Sequence, residues 1–224
     1  MCTLVLAYRV FDDAPVCVAA NRDESDDRPS EPPGRFAPGV VAPRDGRAGG
    51  TWLGYNADGL VAAVTNRWTD ADLPAERSRG LLVADALDAP SATEAADQVA
   101  EAVRETGYAG FNLVLADAAR ALYLEWAGAL RVREWEPGVH VVVNVGADGD
   151  FHVPDDRAEA GRRQADGARR ARADLAARAE ESAAEWRERA GAVLADHDYG
   201  VCVHGDGFGT RSSSLLGLGP DGAD

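Results

Sequence analysis

No lysine occurs anywhere in the chain: all 23 basic side chains are arginine, set against 38 acids for a formal net charge of −15 and a pI near 4.6. A composition this acidic and lysine-free points to a salt-loving (halophilic) source. Such a surface repels phosphate backbones and anionic headgroups, which excludes nucleic acid and membrane surfaces as partners and leaves small molecules or proteins. Long apolar runs are also missing: none approaches the ~18–20 residues of a spanning helix, and the first residues lack the basic-then-apolar pattern of a secretory signal. No membrane insertion and a cytoplasmic location are therefore expected. Cysteine is scarce, with Cys2, Cys17 and Cys202 too few and too widely spaced for a disulfide framework or a zinc site, so a free thiol is expected. The four histidines, His140, His152, His197 and His204, show neither HExxH nor a close pair, and no metal site is expected. Glycine-rich nucleotide fingerprints are absent as well, so no nucleotide cofactor is required.

What is present is concentrated at the amino terminus. If Met1 is removed, Cys2 carries a thiol and a free α-amine on one residue, a nucleophile beside its own base. Ordinary values near ~8.5 for the thiol and ~8 for the amine put both within reach of neutral pH. A nearby guanidinium favours the reactive thiolate further, and Arg22 is the candidate. The plainer reading of Cys2 is a small apolar residue opening a strand.

Length and composition suit a single domain over 1–224. Residues 3–10 and 16–20, joined by the Asp12-Asp13-Ala14-Pro15 turn, read as a β-hairpin whose second strand delivers Asn21, Arg22 and Asp23 beside the first residues of the other. The proline-rich stretch 25–47 reads as a long surface loop forming a wall or lid of a site. Asp58-Gly59 marks a second hairpin, ending at Asn66. Residues 79–87 and 91–106 carry helical spacing, the latter opened by a Ser91/Glu94 capping pair. Segments 111–116, 121–126, 130–135 and 139–144 read as an antiparallel meander ending at Asn144. Residues 155–196 are rich in alanine and charge and read as solvated helix. A last strand pair turns at residues 205–209 and returns through Arg211.

Cys2, Asn21-Arg22-Asp23-Glu24, Gly50-Thr51-Trp52-Leu53-Gly54, Val64-Thr65-Asn66-Arg67 and Gly209-Thr210-Arg211-Ser212-Ser213-Ser214, in that order, resemble the NRDE family, also called the transport-and-Golgi-organisation family. The resemblance implies an α+β fold, a four-layer αββα sandwich of two antiparallel sheets, as in N-terminal-nucleophile hydrolases. Their choloylglycine-hydrolase-like members cleave amides with an N-terminal cysteine. It implies Cys2 as nucleophile, Arg22 and Asp23 as the residues holding thiolate and α-amine, Asn66 and Asn144 as oxyanion-hole donors, and Arg211 as an arginine near the nucleophile. Amide donors of that kind are worth ~3–4 kcal/mol each. The family is also linked to haem mobilisation, so haem stands as the alternative ligand to a small amide substrate, with His140, His152, His204 or Cys2 as axial ligand. An inactive relic of the fold is a third class, and the residues do not choose among the three.

Overall fold

Apolar residues occupy both faces of the amino-terminal strand, β1 (Cys2–Tyr8), and both faces are buried from Thr3 onward. A strand of this kind belongs in the middle of a sheet, because it has no face to give to water. In the computed structural model, which describes residues 2–219 and 222–223, β1 is central. It pairs antiparallel with β2 (Val16–Ser25), with Cys2 opposite Arg22 and Leu4 opposite Ala20, which is the expected hairpin.

Contacts gather the chain into two compact units, built from stretches that alternate along the sequence. One holds the residues up to Asp26, Trp68–Asp70 and those from Glu136 onward; the other holds Asp27–Arg67 and Ala71–Trp135. Taking the second first, its strands are β3 (Ser30–Ala37), β4 (Val40–Asp45), β5 (Leu53–Asn56), β6 (Val61–Asn66), β7 (Phe111–Ala116), β8 (Ala121–Trp126) and β9 (Leu130–Glu134), hydrogen-bonded in that order. Helices α1 (Arg79–Ala86) and α2 (Ala92–Glu105) pack Leu82, Val83, Ala95 and Val99 onto Ala62, Leu113, Leu115 and Leu124 of the sheet and onto Leu60 just before β6. Ser91 caps α2 as expected, its hydroxyl accepting from the Glu94 N–H at 3.2 Å.

Two expectations are corrected here. The stretch 25–47 is not a structureless loop, since β3 and β4 form a hairpin within it. Pro32 and Pro33 are tolerated because β3 is an edge strand and the register is broken between Glu31 and Gly34, where no ladder N–H is required. The four-strand meander is also broken, after β9. That strand is solvent-exposed and closes its sheet, whereas the next, β10 (Gly138–Val143), is mostly buried and joins β1 in the other unit.

The first unit completes its sheet with β11 (Gly146–Ala147), β12 (Asp150–Phe151), β13 (His204–Gly205) and β14 (Phe208–Gly219), in the order β12-β11-β10-β1-β2-β14-β13, and β15 (Gly222–Ala223) pairs with β14. Helices α3 (Ala158–Asp174) and α4 (Ala183–Ala195) bury Ala165, Ala168, Ala171, Trp186 and Ala190 against Val5, Ala7, Ala19, Val141 and Val143. The helix thus has a dry alanine stripe under its charged face, with residues 175–182 separating the two helices. Gly167 is required by a close approach: a Cβ there would lie 2.1 Å from the Tyr199 carbonyl oxygen. Among the described residues no helix is long and apolar enough to cross a membrane.

Candidate active site

Pairing of β1 with β2 sets Cys2 against Arg22 and places Asp23 one residue further along the same strand. Asp23 is in turn opposite Thr210 of β14, and the register slips between Thr210 and Ser212. This bulge aims neighbouring side chains differently. Thr210 Oγ1 makes a short hydrogen bond to Asp23 Oδ1, while Arg211 turns to the surface, where its Nη1 meets Asp26 Oδ1 at 2.9 Å. The structure therefore draws Thr210, and not the Arg211 guanidinium, onto the Asp23 carboxylate.

Cys2 is half-buried and held by two of its atoms. Its backbone N donates to Asn144 Oδ1 at 3.1 Å, and its Sγ lies 3.7 Å from the Asp23 carbonyl oxygen. Asn144 follows β10 and is fully buried, with its own carbonyl accepting from the Trp68 N–H at 2.8 Å. Its side-chain oxygen also accepts from Gln164 Nε2 of α3 at 2.8 Å. Asn144 thus faces Cys2 with oxygen, the acceptor end of its amide, whereas the oxyanion role implied by the resemblance uses the nitrogen. Gln164, invisible to motif reading because it sits in an alanine- and arginine-rich helix, is the residue that orients it. A lone glutamine amid alanines and charged residues was its one sequence signal.

Burial pushes the Cys2 thiol above its ordinary value, and the Asp23 charge adds to this; the hydrogen bond to the Asp23 backbone and the Arg22 guanidinium pull the other way. Burial also raises the Asp23 carboxyl, opposed by the hydrogen bond from Thr210. Arg22 is buried, with its guanidinium 3.7 Å from Glu24. Asn21, between β1 and β14, has a structural role. Its amide nitrogen donates to the carbonyls of Leu194 at 2.8 Å and Val201 at 3.0 Å, and its oxygen accepts from Ser213 at 2.7 Å, tying the end of α4 to the sheet.

Of the residues singled out from sequence, Cys2, Arg22, Asp23 and Asn144 come together in the first unit. Asn66 lies in the second unit, exposed at the end of β6, where its carbonyl is 3.5 Å from Asn112 Nδ2. The Gly50-Thr51 motif also belongs to the second unit's frame, since a Cβ on Gly50 would meet the Gly80 backbone at 2.2 Å. His140 is bound to Asp148, Nδ1 to Oδ2 at 2.6 Å, and His152 to Asp70 at 3.0 Å. Spacing in sequence concealed one further grouping: His197, Cys202 and His204 bring their side-chain donor atoms within 4.8 Å of one another.

The architecture defines the class. The solved structure of a Caenorhabditis elegans N-acylethanolamine-hydrolyzing acid amidase (NAAA) ortholog superposes with a TM-score of 0.62 at 14% identity, covering 98% of this chain and 94% of that one. The chain therefore has the N-terminal-nucleophile-hydrolase-like fold. A Mus musculus protein, Transport and Golgi organization 2 homolog, is 34% identical over 120 residues, which make up 50% of this chain and 40% of that relative, so the match spans less than half of the relative's length. The model of the Transport and Golgi organisation 2 family matches residues 1–221, and the chain belongs to that family.

Proposed function

We propose that this protein is an N-terminal-cysteine amide hydrolase acting on a small C–N bond. The observation that carries the reading is the double hold on Cys2, with N on Asn144 Oδ1 and Sγ against the Asp23 carbonyl. Met1 lies outside the described residues. Once it is removed, the nitrogen held by Asn144 is an α-amine with an ordinary pKa near ~8, beside a thiol that burial keeps protonated. A protonated thiol needs a base within reach, and this amine is on the same residue. Sγ adds to the substrate carbonyl carbon as the amine takes the thiol proton. The proton then passes to the leaving nitrogen as the C–N bond breaks, and water hydrolyses the thioester, releasing the acid and restoring the thiol. In this reading Asn144 and Gln164 anchor the amine through the Asn144 oxygen, the Asp23 carbonyl positions Sγ, and Arg22 favours the thiolate.

Three measurements on protein from its own source test this: intact mass, Cys2 labelling and turnover of an amide panel that includes an N-acylethanolamine, each with Cys2→Ala beside the parent. Loss of Met1, a hyper-reactive Cys2 and turnover abolished in a folded Cys2→Ala are expected. Retention of Met1, or labelling at the rate of a simple thiol, would overturn the mechanism. No turnover together with a saturable haem spectrum that survives Cys2→Ala would assign the protein to haem handling instead.

A further inference from the structure

Between α4 and β14 the chain makes a tight excursion whose backbone is fixed on every side. Asp196 Oδ1 accepts from the Asp198 N–H at 2.8 Å, the Gly200 N–H returns to the His197 carbonyl at 2.9 Å, and Gly200 takes a left-handed φ of 67°. A left-handed residue of this kind reverses the chain, and glycine adopts it without cost. Arg170 Nη2 holds the Asp198 carbonyl at 2.7 Å, and the Tyr199 hydroxyl donates to Asp174 at 2.6 Å, pinning the turn to α3. On the returning arm Val203 is held twice by Thr210, its N–H donating to Oγ1 at 3.0 Å and its carbonyl accepting from the Thr210 N–H at 2.8 Å. Cys202 and His204 flank Val203, so their side chains emerge on one side, and the reversal at Gly200 faces them toward His197. The result is a part-exposed thiol and two exposed imidazoles with donor atoms within 4.8 Å of one another.

We infer that His197, Cys202 and His204 form a binding site for a borderline-soft transition-metal ion, with Zn²⁺ the best fit. The donor set carries the choice of metal: one thiolate and two neutral imidazoles suit zinc-like ions and not Mg²⁺ or Ca²⁺, which take oxygen ligands. Geometry agrees. With Zn–S near 2.3 Å and Zn–N near 2.0–2.1 Å in a tetrahedron, sulfur and nitrogen stand about 3.5 Å apart. Cys202 Sγ and His204 Nε2 are 3.4 Å apart, and the two imidazole centroids 5.0 Å, so the remaining closure is a side-chain adjustment on a fixed backbone. Three protein ligands leave a fourth position for water or a small molecule, the arrangement of an open site. Nothing in the linear spacing His-x4-Cys-x-His advertises it, because the reversal at Gly200 is what closes the triangle.

The test is Co²⁺ titration of tag-free, metal-stripped full-length protein, with Zn²⁺ competition and inductively coupled plasma analysis of the dialysed protein. One equivalent is expected, with a thiolate-to-cobalt absorption band that Zn²⁺ abolishes. Cys202→Ser should lose the band, and both Cys202→Ser and His204→Asn should weaken binding at least about tenfold. Cys2→Ala should bind as the parent does. The Cys202→Ser and His204→Asn variants should keep the parent's urea midpoint, since these side chains lie at or near the surface. Overturning results would be an absence of stoichiometric binding at micromolar Co²⁺, equal affinity in parent and Cys202→Ser, or a band that disappears in Cys2→Ala.

Discussion

The two units bury polar side chains in opposite styles. In the second, three buried networks are closed on themselves. Asn56 spends its amide nitrogen on the carbonyls of Leu87 and Ala89 and its oxygen on the N–H groups of Asp58 and Leu60; Thr65, Asn112 and Tyr123 form a chain of hydroxyl and amide bonds; Arg67 meets Glu125 at 3.0 Å. In the first, Gln164 Oε1 is buried with no hydrogen-bond partner among the described residues, and burial raises both the Cys2 thiol and the Asp23 carboxyl. A satisfied network holds a fold in place, whereas buried groups displaced from their ordinary titration and gathered around a nucleophile are candidates for chemistry. The contrast separates scaffold from site within one family motif set, because Gly50 and Asn21 fall on the scaffold side and Cys2 and Asp23 on the other.

The sharpest way to break this contrast is Arg67→Met. If the second unit's networks are structural, stranding the buried Glu125 should cost about 3 kcal/mol in urea unfolding while leaving Cys2 labelling rates unchanged. A loss under about 1 kcal/mol would put Arg67 outside the scaffold.

Next in size is the alkaline limb of stability set by Cys17, a buried thiol of the first unit whose pKa burial pushes up to about 11. The folded state holds this proton more tightly than the unfolded chain does. The contribution is therefore complete below the unfolded value near 9.0 and is lost as pH rises from there through about 11, amounting to ~2–3 kcal/mol. Urea midpoints across that range should fall less steeply in Cys17→Ala than in the parent.

Gln164→Leu is the smaller perturbation of stability and the more informative about the site. Its oxygen has no hydrogen-bond partner among the described residues, and the one bond lost, from Nε2, leaves Asn144 Oδ1 still held by the Cys2 N–H, so unfolding should shift by no more than about 1 kcal/mol. Cys2 labelling should nevertheless slow several-fold as Asn144 loses its orientation. Equal effects on stability and reactivity would make Gln164 scaffold. A last and finer probe is Arg22→Met, which should move the pH midpoint of Cys2 labelling upward, because the guanidinium is one of the groups holding that thiol down.

Much of this was legible in the order of residues. The amino-terminal hairpin, the Asp58-Gly59 hairpin and both helices of the second unit follow from local pattern and turn chemistry. Pairing Cys2 with Arg22 needed only the hairpin register. The β3–β4 hairpin was hidden because prolines are read as breakers, while at an edge strand the N–H they lack is not needed. The departure of β10 from the meander depends on which sheet has room for a strand buried on both sides, a tertiary choice with no local signature. Gln164 and Thr210 reach the site from α3 and β14, far along the chain, and the acceptor orientation of Asn144 is set by what it meets on arrival.

The central position of β1 has a bearing on how the protein is made. The neighbours that enclose its sheet come from Gly138–Val143 and, beyond β2, from Phe208–Gly219. Pairings of such long sequence separation form late, so the amino terminus waits on the ribosome for its partners. At about 5–20 residues per second, the ~180 residues between β2 and β14 take about 10–40 s to synthesise. Until Gly138–Val143 emerges the first strand has only β2 beside it, so Cys2 stands at an unfinished sheet for most of the chain's synthesis.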